Sequence, residues 1–199
     1  LVKDFSLRRR IMTTTNDILV IEDDEIMREA LAEWLEAAGY VVRTAADGSA
    51  GLAAVRSAAP ALVVTDIHMP GTSGADVIAE LQRHHPDIPV IAISGLFQFG
   101  RGLDADSAVA LGAARALAKP FTRRELLQAV TVADLDARKR AEYLTRQVFE
   151  SASDGVAVIG RDYRYQRVNP AYERNWGMPA EKIVGMHVAD LSGTDVFER

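Results

Sequence analysis

The sequence predicts an α/β fold: a doubly wound, five-stranded parallel sheet with strand order 2-1-3-4-5. Three observations carry this prediction. Short apolar runs, several rich in Val and Ile, recur five times, each with the length of a strand buried on both faces. Helical stretches separate them, as the crossovers between parallel strands require. Finally, Glu22, Asp23, Asp66, Ser94 and Lys119 all fall where a run stops, at the carboxyl edge where open α/β sheets keep their chemistry.

Taken in order, residues 18–21 form the first strand, which ends in Glu22-Asp23-Asp24. A helical period from Glu25 puts Ile26, Ala30, Leu31, Trp34 and Leu35 on one face, and Gly39 stops it. Residues 40–44 are the second strand. Asp47 then caps an Ala-rich helix carrying Leu52 and Val55, which ends before Pro60. The third strand, Leu62-Val63-Val64-Thr65-Asp66, runs into the turn His68-Met69-Pro70-Gly71. Ser73 caps a helix with Val77, Ile78 and Leu81 inward, closed by His84-His85-Pro86, histidines that favour the helix dipole and are given no chemistry. Residues 89–94 are the fourth strand. The segment 95–104 is richer in Gly and Phe than a tight connection needs, and its Gly100-Arg101-Gly102 only echoes a dinucleotide fingerprint. A short helix over about 105–111, a strand over 114–118 and the closing Lys119-Pro120-Phe121 follow, and Thr122 caps an amphipathic helix through Leu126, Leu127 and Val130.

Composition narrows the function classes. The 199 residues are 48% hydrophobic and 26% charged, as in a globular protein with core enough to fold. A net charge of −5 gives no nucleic-acid footprint. With no cysteine there is no disulfide, thiolate metal site or thiol switch, and the cytoplasm is the expected compartment. No apolar run approaches the roughly 18 residues of a membrane span. Residues 1–15, with Arg8-Arg9-Arg10 ahead of Met12, are expected to be a disordered extension.

The predicted strand order places Glu22 and Asp23 on one side of Asp66, and Ser94 and Lys119 on the other. Three neighbouring carboxylates need a compensating charge. Hard oxygen donors with partial hydration suit Mg²⁺: Asp23 and Asp66 would bind directly, Glu22 directly or through water, and the His68 backbone carbonyl would complete the set. Asp66 is then a nucleophile accepting a phosphoryl group, with Lys119 and the Ser94 hydroxyl on the phosphoryl oxygens.

These residues resemble the receiver domain of two-component response regulators, a flavodoxin-like fold. The resemblance rests on Glu22-Asp23, on Asp66-Ile67-His68-Met69-Pro70-Gly71, on Ser94 and on Lys119-Pro120-Phe121. It implies a phosphoacceptor rather than an enzyme, a histidine kinase or phosphotransfer protein as donor, a Mg²⁺ requirement and a cis Lys119–Pro120 bond. The family's aromatic three residues before the lysine is here Ala116, for which Phe97 or Phe99 could substitute. Two other classes stay open. A phosphatase working through an aspartyl phosphate would carry a second aspartate where His68 stands, and turnover of a chromogenic phosphomonoester would reveal it. An interaction module that is never phosphorylated would tolerate Asp66→Asn.

Residues 16–133 are thus expected to be the receiver. A helical linker over 134–150 follows, with Val130, Ala137, Ala141, Leu144 and Val148 on a heptad seam that Asp134 interrupts: either a connector able to pair with a second copy or a solvated extension of the last receiver helix. Residues 151–199 contain a hairpin around Gly160-Arg161-Asp162, with strands over 156–159 and 163–168. They resemble the first part of an α+β PAS domain through Ser153-Asp154-Gly155, Val168-Asn169-Pro170-Ala171 and Glu181-Lys182-Ile183-Val184-Gly185. Two strands with an unpaired outer edge imply a partial domain, and no PAS ligand is indicated.

Overall fold

The computed structural model describes residues 16–95 and 105–192. The expected extension (1–15) and the segment with Phe97 and Phe99 lie outside the described residues. Strands β1 (Asp17–Ile21), β2 (Val41–Ala45), β3 (Leu62–Asp66), β4 (Val90–Ser94) and β5 (Arg115–Ala118) form one sheet in the order β2-β1-β3-β4-β5. Every pairing in it is parallel, so each strand is followed by a helix that carries the chain back. The helices are α1 (Glu25–Glu36), α2 (Gly48–Ser57), α3 (Gly74–His84), α4 (Ala105–Ala110) and α5 (Arg123–Ser151).

Period-two alternation along the strands feeds two cores. Leu19, Ile21, Val63 and Ala92 meet Val55, Val77, Ile78 and Leu81 from α2 and α3. Ile18, Val20, Val64 and Ile93 meet Leu31, Leu35, Leu126 and Val130 from α1 and α5. Each fully buried aliphatic side chain contributes about 1.5–3 kcal/mol, so these two layers hold the sheet edge in place.

Local chemistry fixes the helix ends. Asp24, Asp47 and Ser73 accept backbone N–H groups at the starts of α1, α2 and α3. Ser73 with Asp76, and Thr122 with Glu125, form capping boxes, and both carboxyls are held below their ordinary range by the bonds from their caps. After α1, Gly39 adopts φ +92°, which lets the Tyr40 N–H reach the Leu35 carbonyl at 3.2 Å.

Ile26 departs from the expected inward face: it is 81% exposed. The core-facing stripe of α1 is Met27, Leu31, Trp34 and Leu35. Ile26 precedes that stripe by one position and so points about 100° away from it.

The chain divides into two compact units at Arg138 and Lys139, a boundary inside α5. In the second, β6 (Ala157–Ile159) and β7 (Tyr165–Val168) form an antiparallel hairpin. It is shorter than expected because Tyr163 takes φ +58° and belongs to the turn. The outer edge of β7 is not bare, contrary to expectation. Gly185 N–H bonds the Tyr165 carbonyl at 2.8 Å and Tyr165 N–H the Met186 carbonyl at 3.0 Å. Fully buried Asn169 caps α6 (Pro170–Trp176), accepting from Tyr172 N–H and Val156 N–H and donating to the Asp154 carbonyl, each at 2.9 Å. Two short helices, α7 (Ala180–Ile183) and α8 (Val188–Ser192), follow. No helix among the described residues is long and apolar enough to cross a membrane.

Two predictions follow from this packing. A Cβ on Gly74, at the start of α3, would overlap the Asp66 carbonyl, and a backbone obstacle does not yield. Gly74→Ala should therefore lower unfolding free energy by about 3 kcal/mol in urea denaturation, the upper end for an overpacked site. Burial, then a hydrogen bond shared with the Tyr165 hydroxyl, pushes the Tyr172 phenol up to about 12. The fold favours the neutral phenol, so this contribution is intact below pH 10 and lost as pH rises towards 12. The last tyrosinate absorbance step of the folded protein should vanish in Tyr172→Phe.

Candidate functional site

The carboxyl ends of β1, β3 and β5 bring three residues into one hydrogen-bonded cluster. Asp66 is the last residue of β3 and only 6% exposed. Glu22 follows β1, with its N–H on the Ala45 carbonyl at 3.2 Å and its side chain 1% exposed. Lys119 directly follows β5, and its own bond to Pro120 is cis. Its ammonium donates to Asp66 Oδ2 at 2.5 Å and to Glu22 Oε2 at 2.8 Å, bridging the two carboxylates. The His68 N–H donates to the other Asp66 oxygen, Oδ1, at 2.9 Å, while the His68 side chain is exposed.

Asp23 completes the group. One carboxylate oxygen from each of Glu22, Asp23 and Asp66 lies within 4.8 Å of the others, and Asp23 is exposed. Ser94 ends β4 fully buried, and its carbonyl accepts the Lys119 N–H at 2.9 Å. It follows Ile93, the register partner of Asp66, and is itself paired with Ala118. The five side chains singled out from sequence therefore stand at neighbouring strand ends.

Burial chiefly raises the Glu22 carboxyl above its ordinary value; Lys119 partly offsets this and the Asp66 charge adds to it. Burial acts to lower the Lys119 ammonium, but its bonds to Asp66 and Glu22 outweigh that and hold it above the usual lysine value. One ammonium bridges two of the three carboxylates, so acidic groups outnumber basic ones in the cluster. An all-oxygen donor set of this kind, reachable from the exposed Asp23, fits a hard divalent cation such as Mg²⁺.

Two contributors carried no sequence signal. Nη1 of Arg28 donates to the carbonyls of Glu22 at 2.8 Å and Asp23 at 3.3 Å. An arginine one turn into an acidic helix looks like an ordinary solvated charge, and only its reach back to the loop distinguishes it. Gly74 allows α3 to begin against the Asp66 carbonyl; a Gly after a Ser cap hints at such an approach without locating it. Ala116, at the position of the family's aromatic, is half-buried and packed against the core shared by α2 and α3.

Residues 18–131 match the response regulator receiver domain family and residues 149–199 the PAS fold family. The C4-dicarboxylate transport transcriptional regulatory protein DctD of Rhizobium meliloti is 31% identical over 151 residues, 75% of this chain and 32% of that protein. The DNA-binding transcriptional regulator NtrC of the same organism is 30% identical over 151 residues, 76% of this chain and 30% of that one. The chain thus spans about a third of the length of these curated relatives. Among solved structures, the receiver domain of NtrX from Brucella abortus superposes with a TM-score of 0.55 at 36% identity, covering 59% of this chain and 97% of that one. With this fold, this cluster at its edge and a family match over most of the sheet, the chain belongs to the response regulator receiver family of two-component signalling, and a PAS-fold segment follows its receiver domain.

Proposed function

We propose that this chain is a phosphoacceptor in a phosphorelay: Asp66 takes a phosphoryl group from the phosphohistidine of a histidine kinase or phosphotransfer protein. The observation that carries this reading is the Lys119 ammonium held between Asp66 and Glu22. An Asp66 oxygen attacks phosphorus as the phosphorus–nitrogen bond of the donor breaks, and the imidazole keeps the electron pair and takes up a proton. Forming the acyl bond consumes the Asp66 charge, so the Lys119 ammonium exchanges its carboxylate partner for a phosphoryl oxygen, and the Ser94 hydroxyl binds a second one. Mg²⁺, held by Glu22, Asp23, Asp66 and the His68 carbonyl, would neutralise charge on the phosphoryl oxygens.

The signal then passes along α5 to the PAS-fold segment, with the chain working in the cytoplasm. Leu144 and Val148 on α5 are 53% and 71% exposed, and Ala141 is exposed beside them, which supports pairing with a second copy along this seam.

Acetyl phosphate or beryllofluoride with Mg²⁺ should modify the wild type stoichiometrically, as read by intact mass or NMR. Asp66→Asn or removal of Mg²⁺ with a chelator should reduce the modification to background. Full labelling of Asp66→Asn would overturn the assignment, and signalling left intact by that variant would favour the interaction-module reading. Lys119→Ala should still accept label but lose the accompanying conformational change. A Leu144→Glu, Val148→Glu double variant should shift sedimentation towards monomer.

A further inference from the structure

The connection from β1 to α1 is three residues long, Glu22 to Asp24, and its backbone is bonded almost throughout. Glu22 N–H bonds Ala45, the Asp24 carboxylate accepts Met27 N–H at 2.8 Å, and the Asp24 carbonyl accepts Arg28 N–H at 2.9 Å. The two carbonyls left over are those of Glu22 and Asp23, the residues whose side chains face the cation site. Both are taken by one nitrogen of the Arg28 guanidinium. Glu29, Glu33 and Glu36 line the same shallow hollow as Arg28. Even so, among the described residues the guanidinium bonds to these carbonyls and to no carboxylate. Its neighbour Met27 packs on the core, so the group is presented from a fixed helical turn.

We infer that Arg28 is a positioning residue: by tying the Glu22 and Asp23 peptide units together it holds their carboxylates in cation-binding geometry and sets the affinity for Mg²⁺. This rests on the phosphoacceptor reading above. The sign of the effect separates positioning from simple charge. A guanidinium near a cation site repels the cation, so charge alone predicts tighter binding when Arg28 is neutralised. Positioning predicts weaker binding, because residues that orient metal ligands typically contribute a tenfold or larger factor.

The test is isothermal titration of the full chain with MgCl₂, comparing wild type, Arg28→Met and Arg28→Lys. Arg28→Met should bind Mg²⁺ about tenfold more weakly, with the half-saturating Mg²⁺ concentration for acetyl phosphate labelling moving by the same factor. Arg28→Lys should retain most of the affinity, since an ammonium can still donate to a loop carbonyl. Without metal, the Asp23 and Asp24 amides should exchange hydrogen faster in Arg28→Met while those of Val63 and Val64 stay protected, which separates loop loosening from general unfolding. Equal or tighter Mg²⁺ binding by Arg28→Met, or unchanged loop exchange, overturns the inference. Wild type that binds no Mg²⁺ overturns the phosphoacceptor reading and this inference together.

Discussion

The structure is arranged around one ammonium shared by two buried carboxylates. Two such acids side by side repel one another, and each loses hydration by burial. Lys119 makes the arrangement tolerable, and the strain still shows in the raised Glu22 carboxyl. The three residues come from positions 22, 66 and 119, so no local segment could assemble them. A parallel sheet ordered β2-β1-β3-β4-β5 does so by placing the ends of β1 and β5 on either side of β3, with Ser94 at the end of the intervening β4. Packing on both faces serves this purpose: it fixes strand register, and register decides which side chains arrive at the edge.

Around the ion cluster, each piece of backbone is tied by hydrogen bonds rather than by apolar burial alone. The His68 N–H anchors Asp66, the Ser94 carbonyl anchors Lys119, and Ala45 anchors Glu22. Buried carboxylates gain from such fixed donors because little reorganisation is needed when charge shifts within the cluster. An acidic, preorganised and partly open cluster is also what a hard cation would meet from the Asp23 side.

Much of this was legible in the sequence, for physical reasons. Strands buried on both faces are nearly continuous runs, so Leu62 to Asp66 and Val90 to Ser94 announce themselves. Caps such as Asp24, Asp47, Ser73 and Thr122 act within three residues, which keeps their signal local. The candidate cluster could be anticipated because each member lies at, or one or two residues past, the end of a strand. What could not be read depends on tertiary geometry. The orientation of Ile26 depends on the angle at which the chain enters α1, and the bonds of Arg28 go to backbone carbonyls, which have no residue-specific signature. Tyr163 with positive φ shortens the hairpin although its composition favours strand, and the pairing of Tyr165 with Gly185 and Met186 joins segments twenty residues apart.

Position 116 lacks the aromatic side chain that the family resemblance leads one to expect. An alanine there has no ring to rotate inward, and Lys119 follows directly on the backbone of β5. Arg115, in that strand, reaches Asp136 on α5 at 2.7 Å. Both partners are half-exposed, which limits the pair to about 1 kcal/mol or less. That is weak for holding a fold. Farther along the same helix, the Arg167 guanidinium lies 4.6 Å from the centre of the Phe149 ring, and Asn169 binds the Asp154 carbonyl and the Val156 N–H just past the helix end. Buried Asn169 therefore ties the segment that follows α5 to the end of β7 and the start of α6. A displacement of that segment would have to break these bonds or carry the hairpin with it, and breaking the bonds of a buried amide costs about 1–3 kcal/mol for each group left unpaired.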